Sequence, residues 1–142
     1  MSEKLKEVLN ALNGATTDDG LTLRAEVIDE ESAMIQVVVD GREEFPIIVD
    51  IDEDQILALV SLWNETDVRE GVEAEMMSAM LAMNIPLPLS AFGKTGSTYQ
   101  LFGAMAPDTI ASNLVLEVDL LSDNALAVYE AFEEYLKPAS SS

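Results

Sequence analysis

The chain has 142 residues, 49% of them apolar and 24% charged, and its 27 Asp and Glu against seven Lys and Arg leave a net charge of −20. That balance suits one folded domain with its own core, and it disfavours nucleic acid and anionic lipid surfaces, which are held by clustered cations. With neither Cys nor His in the sequence, disulfides, zinc–thiolate sites, thiolate nucleophiles and imidazole acid–base chemistry are excluded.

The mixed-charge start, Met1 to Glu7, leads into no apolar signal core, so the expected location is the cytoplasm. Leu5, Val8, Leu9 and Leu12 recur at helical spacing and Asn13-Gly14 supplies a stop, which predicts an amphipathic helix over 3–12. Residues 21–28 alternate Leu21, Leu23, Ala25 and Val27 with Arg24 and Glu26, the pattern of a half-buried strand. A second alternating run, Ala33 to Asp40, turns at Asp40-Gly41 into a third strand, Phe45 to Val49. Pro46 lacks an amide donor, so this strand is expected at a sheet edge or starting late.

Asp52 and Gln55 have capping-box spacing ahead of Ile56, Leu59, Val60 and Trp63, which predicts a helix. Asp67 and Glu70 repeat the device ahead of Val68, Val72, Met76, Met80 and Met83, which predicts a second. From Met76 to Pro107 only Lys94 is charged, but Pro86, Pro88 and three glycines interrupt the stretch, so it reads as core and not as a membrane helix. Within it, Leu87 to Phe92 and Ser97 to Phe102 read as a hairpin turning at Gly93 to Gly96. Residues 113–121 alternate like a strand, yet Ile110, Leu114, Val118, Leu121, Ala125, Val128, Phe132 and Tyr135 keep helical register, so a long C-terminal helix is preferred. The expected fold is α+β: an antiparallel β-meander and second hairpin packed with an N-terminal helix, central helices and a long C-terminal helix. Residues 1–137 are expected to form one domain and 138–142 a disordered tail.

Chemistry-bearing motifs are weak. Asp50-Ile51-Asp52-Glu53-Asp54 opens like a calcium loop, but the sixth position is Gln55 and the twelfth Ser61. Gly93-Lys94-Thr95 ends like a phosphate loop, but Pro88 stands where the first glycine belongs. Ser90, Ser97, Thr98 and Ser112 lack a base, since Lys94 near Ser97 is better explained by turn chemistry. No catalytic residue, cofactor or metal site is therefore expected. Met76, Met77, Met80 and Met83, packed into eight residues, are partner-binding candidates with Tyr99. Unbranched, polarisable side chains adapt to varied surfaces, although the same residues also serve as core filler.

Ile85-Pro86-Leu87-Pro88-Leu89-Ser90-Ala91-Phe92-Gly93, Tyr99-Gln100-Leu101-Phe102-Gly103-Ala104 and the stretch Glu117 to Leu136 resemble the YjfI-like family of uncharacterised bacterial proteins. The resemblance implies as partner a phage-shock-protein-A-like membrane-remodelling protein. The order helix, three strands, helix, hairpin, helix is also similar to type III secretion chaperones and YbjN-like domains, a likeness of architecture and charge alone.

The function these features predict is that of a non-catalytic, acidic, chaperone-like accessory protein that binds a partner protein without inserting into membrane. The alternative is a small-molecule-binding or enzymatic domain using a pocket between the second hairpin and the Met-rich helix, where Tyr99, Gln100 and Ser90 would converge. A weak homodimer through the third strand or last helix is expected as well. The Phe92 to Phe102 hairpin is expected to form core, with Phe102 among its anchors and Gly93 and Gly96 at positive φ.

Overall fold

The computed structural model describes residues 2–138, so of the tail expected at 138–142 only Pro138 lies among the described residues. The first helix, α1 (Glu3–Leu12), starts where Ser2 Oγ accepts the Leu5 N–H at 3.1 Å, and it buries Leu5, Val8 and Leu12. Six strands follow among the described residues: β1 (Leu23–Asp29), β2 (Met34–Val39), β3 (Ile47–Ile51), β4 (Ile56–Asn64), β5 (Ala91–Thr95) and β6 (Thr98–Met105). They form one antiparallel sheet in the order β1-β2-β3-β4-β6-β5. Helix α2 (Glu73–Asn84) lies between β4 and β5 in sequence, and α3 (Ala111–Ala131) follows β6.

Period-two alternation decides which residues face the helices. Ile35, Val37, Ile47, Val49, Ala58, Val60 and Leu101 are buried on one face, against which α3 packs with α1 beside it. Val38, Ile48, Leu57, Leu59 and Phe102 are half-buried on the other. Helix α3 inserts Leu114, Val118, Leu121, Ala125 and Val128, spaced by three and four residues, so the helical reading of 113–121 holds across the segment. Arg42, in the β2–β3 turn, forms an ion pair with Asp123 and donates to Ser122 Oγ at 3.3 Å, fastening that turn to the middle of α3.

Several expectations are corrected or decided. Residues 56–63 are not a helix but β4, the strand between β3 and β6. Asp52 Oδ1 accepts the amides of Asp54 (2.8 Å) and Gln55 (2.9 Å), so the capping residue closes the β3–β4 turn. Second, of the two placements expected for the Pro46 strand the late start holds: β3 is an interior strand that begins at Ile47, leaving Pro46 just outside the ladder, where its missing N–H is harmless. Third, the helix expected from Asp67 starts later. Asn64 and Asp67 cap a short 3-10 turn, Glu65–Asp67, while Val68 bridges to Leu136 and α2 begins at Glu73. Fourth, Gly93 lies within β5 without positive φ, and the hairpin turns at Gly96 (φ +58°). Phe102 is likewise not a core anchor: its ring lies over Gly93 on the half-open face, whereas its neighbour Leu101 is fully buried.

Candidate functional site

Helix α2 is apolar on more than one side. Met76 and Met80, one turn apart, are buried against the body of the protein. Met77 and Leu81, also one turn apart, are exposed, and the four-residue step continues past the helix end through Ile85 to Leu89. Leu81 keeps 70% of its surface exposed and Ile85 89%, a concentration of solvated apolar side chains that folding does not account for.

Between this stripe and the β5–β6 hairpin runs an apolar groove of about 230 Å³, walled by Met77, Met80, Leu81, Asn84, Phe92, Gly93, Lys94 and Tyr99. Polar contacts hold its walls in place. Asn84 Oδ1 accepts the Phe92 N–H at 2.7 Å, and the Tyr99 hydroxyl donates to Glu73 Oε2 at 2.8 Å, tying β6 to the first turn of α2. Asn124 of α3 donates to the Pro88 carbonyl (3.0 Å) and to Ser90 Oγ (2.9 Å), anchoring the segment that displays Ile85 and Leu89. Phe92 packs at a tilt against Phe132 with ring centroids 5.4 Å apart, and Lys94 Nζ stands 5.0 Å from the Tyr99 ring centroid while paired with Glu65. Burial, reinforced by the bonded and charged Glu73, pushes the Tyr99 hydroxyl far above the ordinary tyrosine range, so it remains a hydrogen-bond donor.

Of the residues singled out from sequence, Met77, Met80 and Tyr99 line this groove, Met76 lies fully buried beneath it, and Met83 is half-buried against the core. Leu81, Ile85, Leu89, Asn84, Phe92 and Lys94 were missed; the signal was the four-residue recurrence Met77, Leu81, Ile85, Leu89. Tyr99, Gln100 and Ser90 do not converge. Gln100 alternates to the other face and accepts from the Thr95 hydroxyl at 2.7 Å, while Ser90 engages Asn124. Among the described residues no group of three or more acidic side chains is arranged to hold a metal ion, and no helix is long and apolar enough to cross a membrane.

A six-stranded antiparallel sheet with helices packed on it defines an α+β protein whose fold recurs in solved protein complexes. A chain of the ExsC-ExsE complex aligns with a TM-score of 0.58 at 16% identity, over 81% of this chain and 84% of that one. A chain of the HopA1-SchA chaperone-effector complex aligns at 0.55 and 13% identity, over 73% and 80%. The heterodimeric ExoU-SpcU complex of the Pseudomonas aeruginosa type III secretion system aligns at 0.52 and 16% identity, over 67% and 77%. No curated protein sequence matches. The chain belongs to the family described as "Uncharacterized protein conserved in bacteria (DUF2170)", whose model matches residues 2–136.

Proposed function

We propose that this protein is a non-catalytic, chaperone-like accessory protein of the cytoplasm that holds a segment of a partner protein in the groove between α2 and β5–β6. The observation that carries the reading is the exposed stripe Met77, Leu81, Ile85 and Leu89 beside a preformed apolar groove. A groove of this kind suits an apolar segment laid along it, with anchors at helical or alternate spacing. Glu65 and Glu73 are bonded to its wall residues Lys94 and Tyr99, so its one lining cation, Lys94, is already engaged. Lys or Arg flanking the partner's apolar anchors would therefore be favoured and steered. The fold shared with chains of chaperone-effector complexes supports a protein as occupant.

The YjfI-like resemblance supplies the first partner to test, a phage-shock-protein-A-like membrane-remodelling protein. Calorimetric titration of that purified protein into this one, beside Leu81→Ser and Ile85→Ser variants, is the experiment. Binding that both variants abolish supports the groove; binding that survives both removes it, and no binding removes this partner.

A second reading, a weak homodimer, is favoured by the half-buried apolar row Val38, Ile48, Leu57, Leu59 and Phe102, which a twofold pair would cover on both copies. Sedimentation equilibrium in physiological salt tests it, and a monomer at high micromolar concentration eliminates it.

A further inference from the structure

Away from the groove, the loop between α1 and β1 and the first half of α3 enclose a second cavity of about 420 Å³, with Thr16, Asp18, Asn113, Val115, Leu116 and Asp119 among its lining residues. Asp119 is 8% exposed, and its buried Oδ1 accepts no hydrogen bond among the described residues. Arg42, the cation nearest it, is committed to Ser122 and Asp123 and forms no ion pair with Asp119. The other charged groups that bear on Asp119, Asp18 and Asp19 from the loop and Asp123 from α3, are all negative. A buried carboxylate oxygen without a donor is costly, and Arg42 offsets that only through space, without a hydrogen bond or ion pair to Asp119.

The chemistry of the lining narrows the ligand. Asp18 and Asp119 repel an anion, and three acidic groups arranged for a metal ion are lacking among the described residues. Val115 and the 42%-exposed Leu116 supply apolar wall beside the carboxylates, which suits a cation carried on an aliphatic stem.

We propose that this cavity receives an Arg or Lys side chain of the partner protein, its stem against Val115 and Leu116 and its cationic head on Asp119 and Asp18. The proposal rests on the reading that the partner is a protein, but it concerns a separate site. It gives the −20 charge a defined point of contact in addition to a diffuse steering field. A guanidinium there would pair with the Asp119 carboxylate, which no hydrogen-bond donor engages among the described residues, in a charge-assisted hydrogen bond.

The test is an amide-resolved NMR titration of the full chain with Nα-acetyl-arginine methylamide at constant ionic strength, beside its uncharged citrulline analogue, free arginine and calcium chloride. Saturable shifts confined to the amides of 16–18 and 112–119 are expected, absent with citrulline and weakened about tenfold or more in Asp119→Asn. Asp18→Asn, at an exposed position, should weaken binding without touching the fold. Absence of saturation, equal shifts with citrulline, or unchanged affinity in both variants overturns the proposal. So does tighter binding of calcium, which would make this a metal site, or of free arginine, which would make it an amino-acid site. Leu81→Ser must leave the titration unaltered, so failure of the groove and failure of this cavity are read separately.

Discussion

Gly103 on β6 and Glu117 on α3 share one packing position: a side-chain carbon at 103 would overlap Glu117 Oε1 and stand 3.0 Å from the Leu89 carbonyl oxygen. The absent side chain lets α3 settle on the sheet with an acidic residue at the contact, and that closeness leaves Glu117 only 8% exposed.

Gly103→Ala is therefore expected to destabilise the protein by about 1 to 3 kcal/mol through overpacking. Shortening the opposing side chain opens the space, so Gly103→Ala combined with Glu117→Ala should be less destabilised than the sum of the two single changes. Urea denaturation of the four proteins measures the coupling, and strict additivity would mean that the two residues do not compete.

Burial raises the pKa of Glu117, and burial together with neighbouring acidic groups raises those of Asp119 and Asp50. Raised folded values mean that the folded chain holds more protons than the unfolded chain above the ordinary carboxylate pKa of about 4. Stability then falls as pH rises through that window and recovers as pH falls back towards the unfolded values. The melting temperature should be higher near about pH 5 than near about pH 7.5. Relief of the overall negative charge acts in the same direction, so the discriminating measurement is Glu117→Gln, which should be stabilised at neutral pH and show a smaller acid gain.

Met80 and Leu81 are adjacent in α2 and both line the groove, but they differ in burial, at 4% and 70% exposure. Met80→Ala should cost about 2 to 5 kcal/mol, while Leu81→Ser should change stability by no more than about 0.5 kcal/mol. Chemical denaturation distinguishes them. A large loss for Leu81→Ser would make it a structural residue and remove it from the groove's binding surface.

Leu101 and Phe102 make the same comparison on β6. Leu101→Ala empties a fully buried position, with an expected loss of about 2 to 5 kcal/mol. Phe102→Ala removes a half-buried ring from the other face and should cost about 1 to 2 kcal/mol, since part of its surface is wet in the folded state. Equal denaturation midpoints for the two variants would show that the outer face is as well packed as the inner one.

Helix α1, the first two strands, β6 and α3 were legible in sequence because each carries its own period: four-residue steps in α1 and α3, two-residue alternation in β1, β2 and β6; the hairpin's other arm was expected at Leu87 to Phe92 and lies instead at Ala91–Thr95. Strand β4 was not. Ile56-Leu57-Ala58-Leu59-Val60 is apolar at every position, so it contains a helical stripe and a strand pattern at once, and only its pairing with β3 and β6 selects the strand. Helix α2 poses the same difficulty, since a segment apolar on several sides does not say which side is covered. The methionines could be named from sequence, but which of them line a groove depends on where β5 and β6 come to rest. Composition and charge by themselves determined that the chain folds without disulfides and meets its surroundings as a strong anion. Tertiary structure alone decided that Leu81 and Ile85 remain in water and that Asp119 is buried without a donor, because exposure and hydrogen bonding at those positions depend on neighbours distant in the chain.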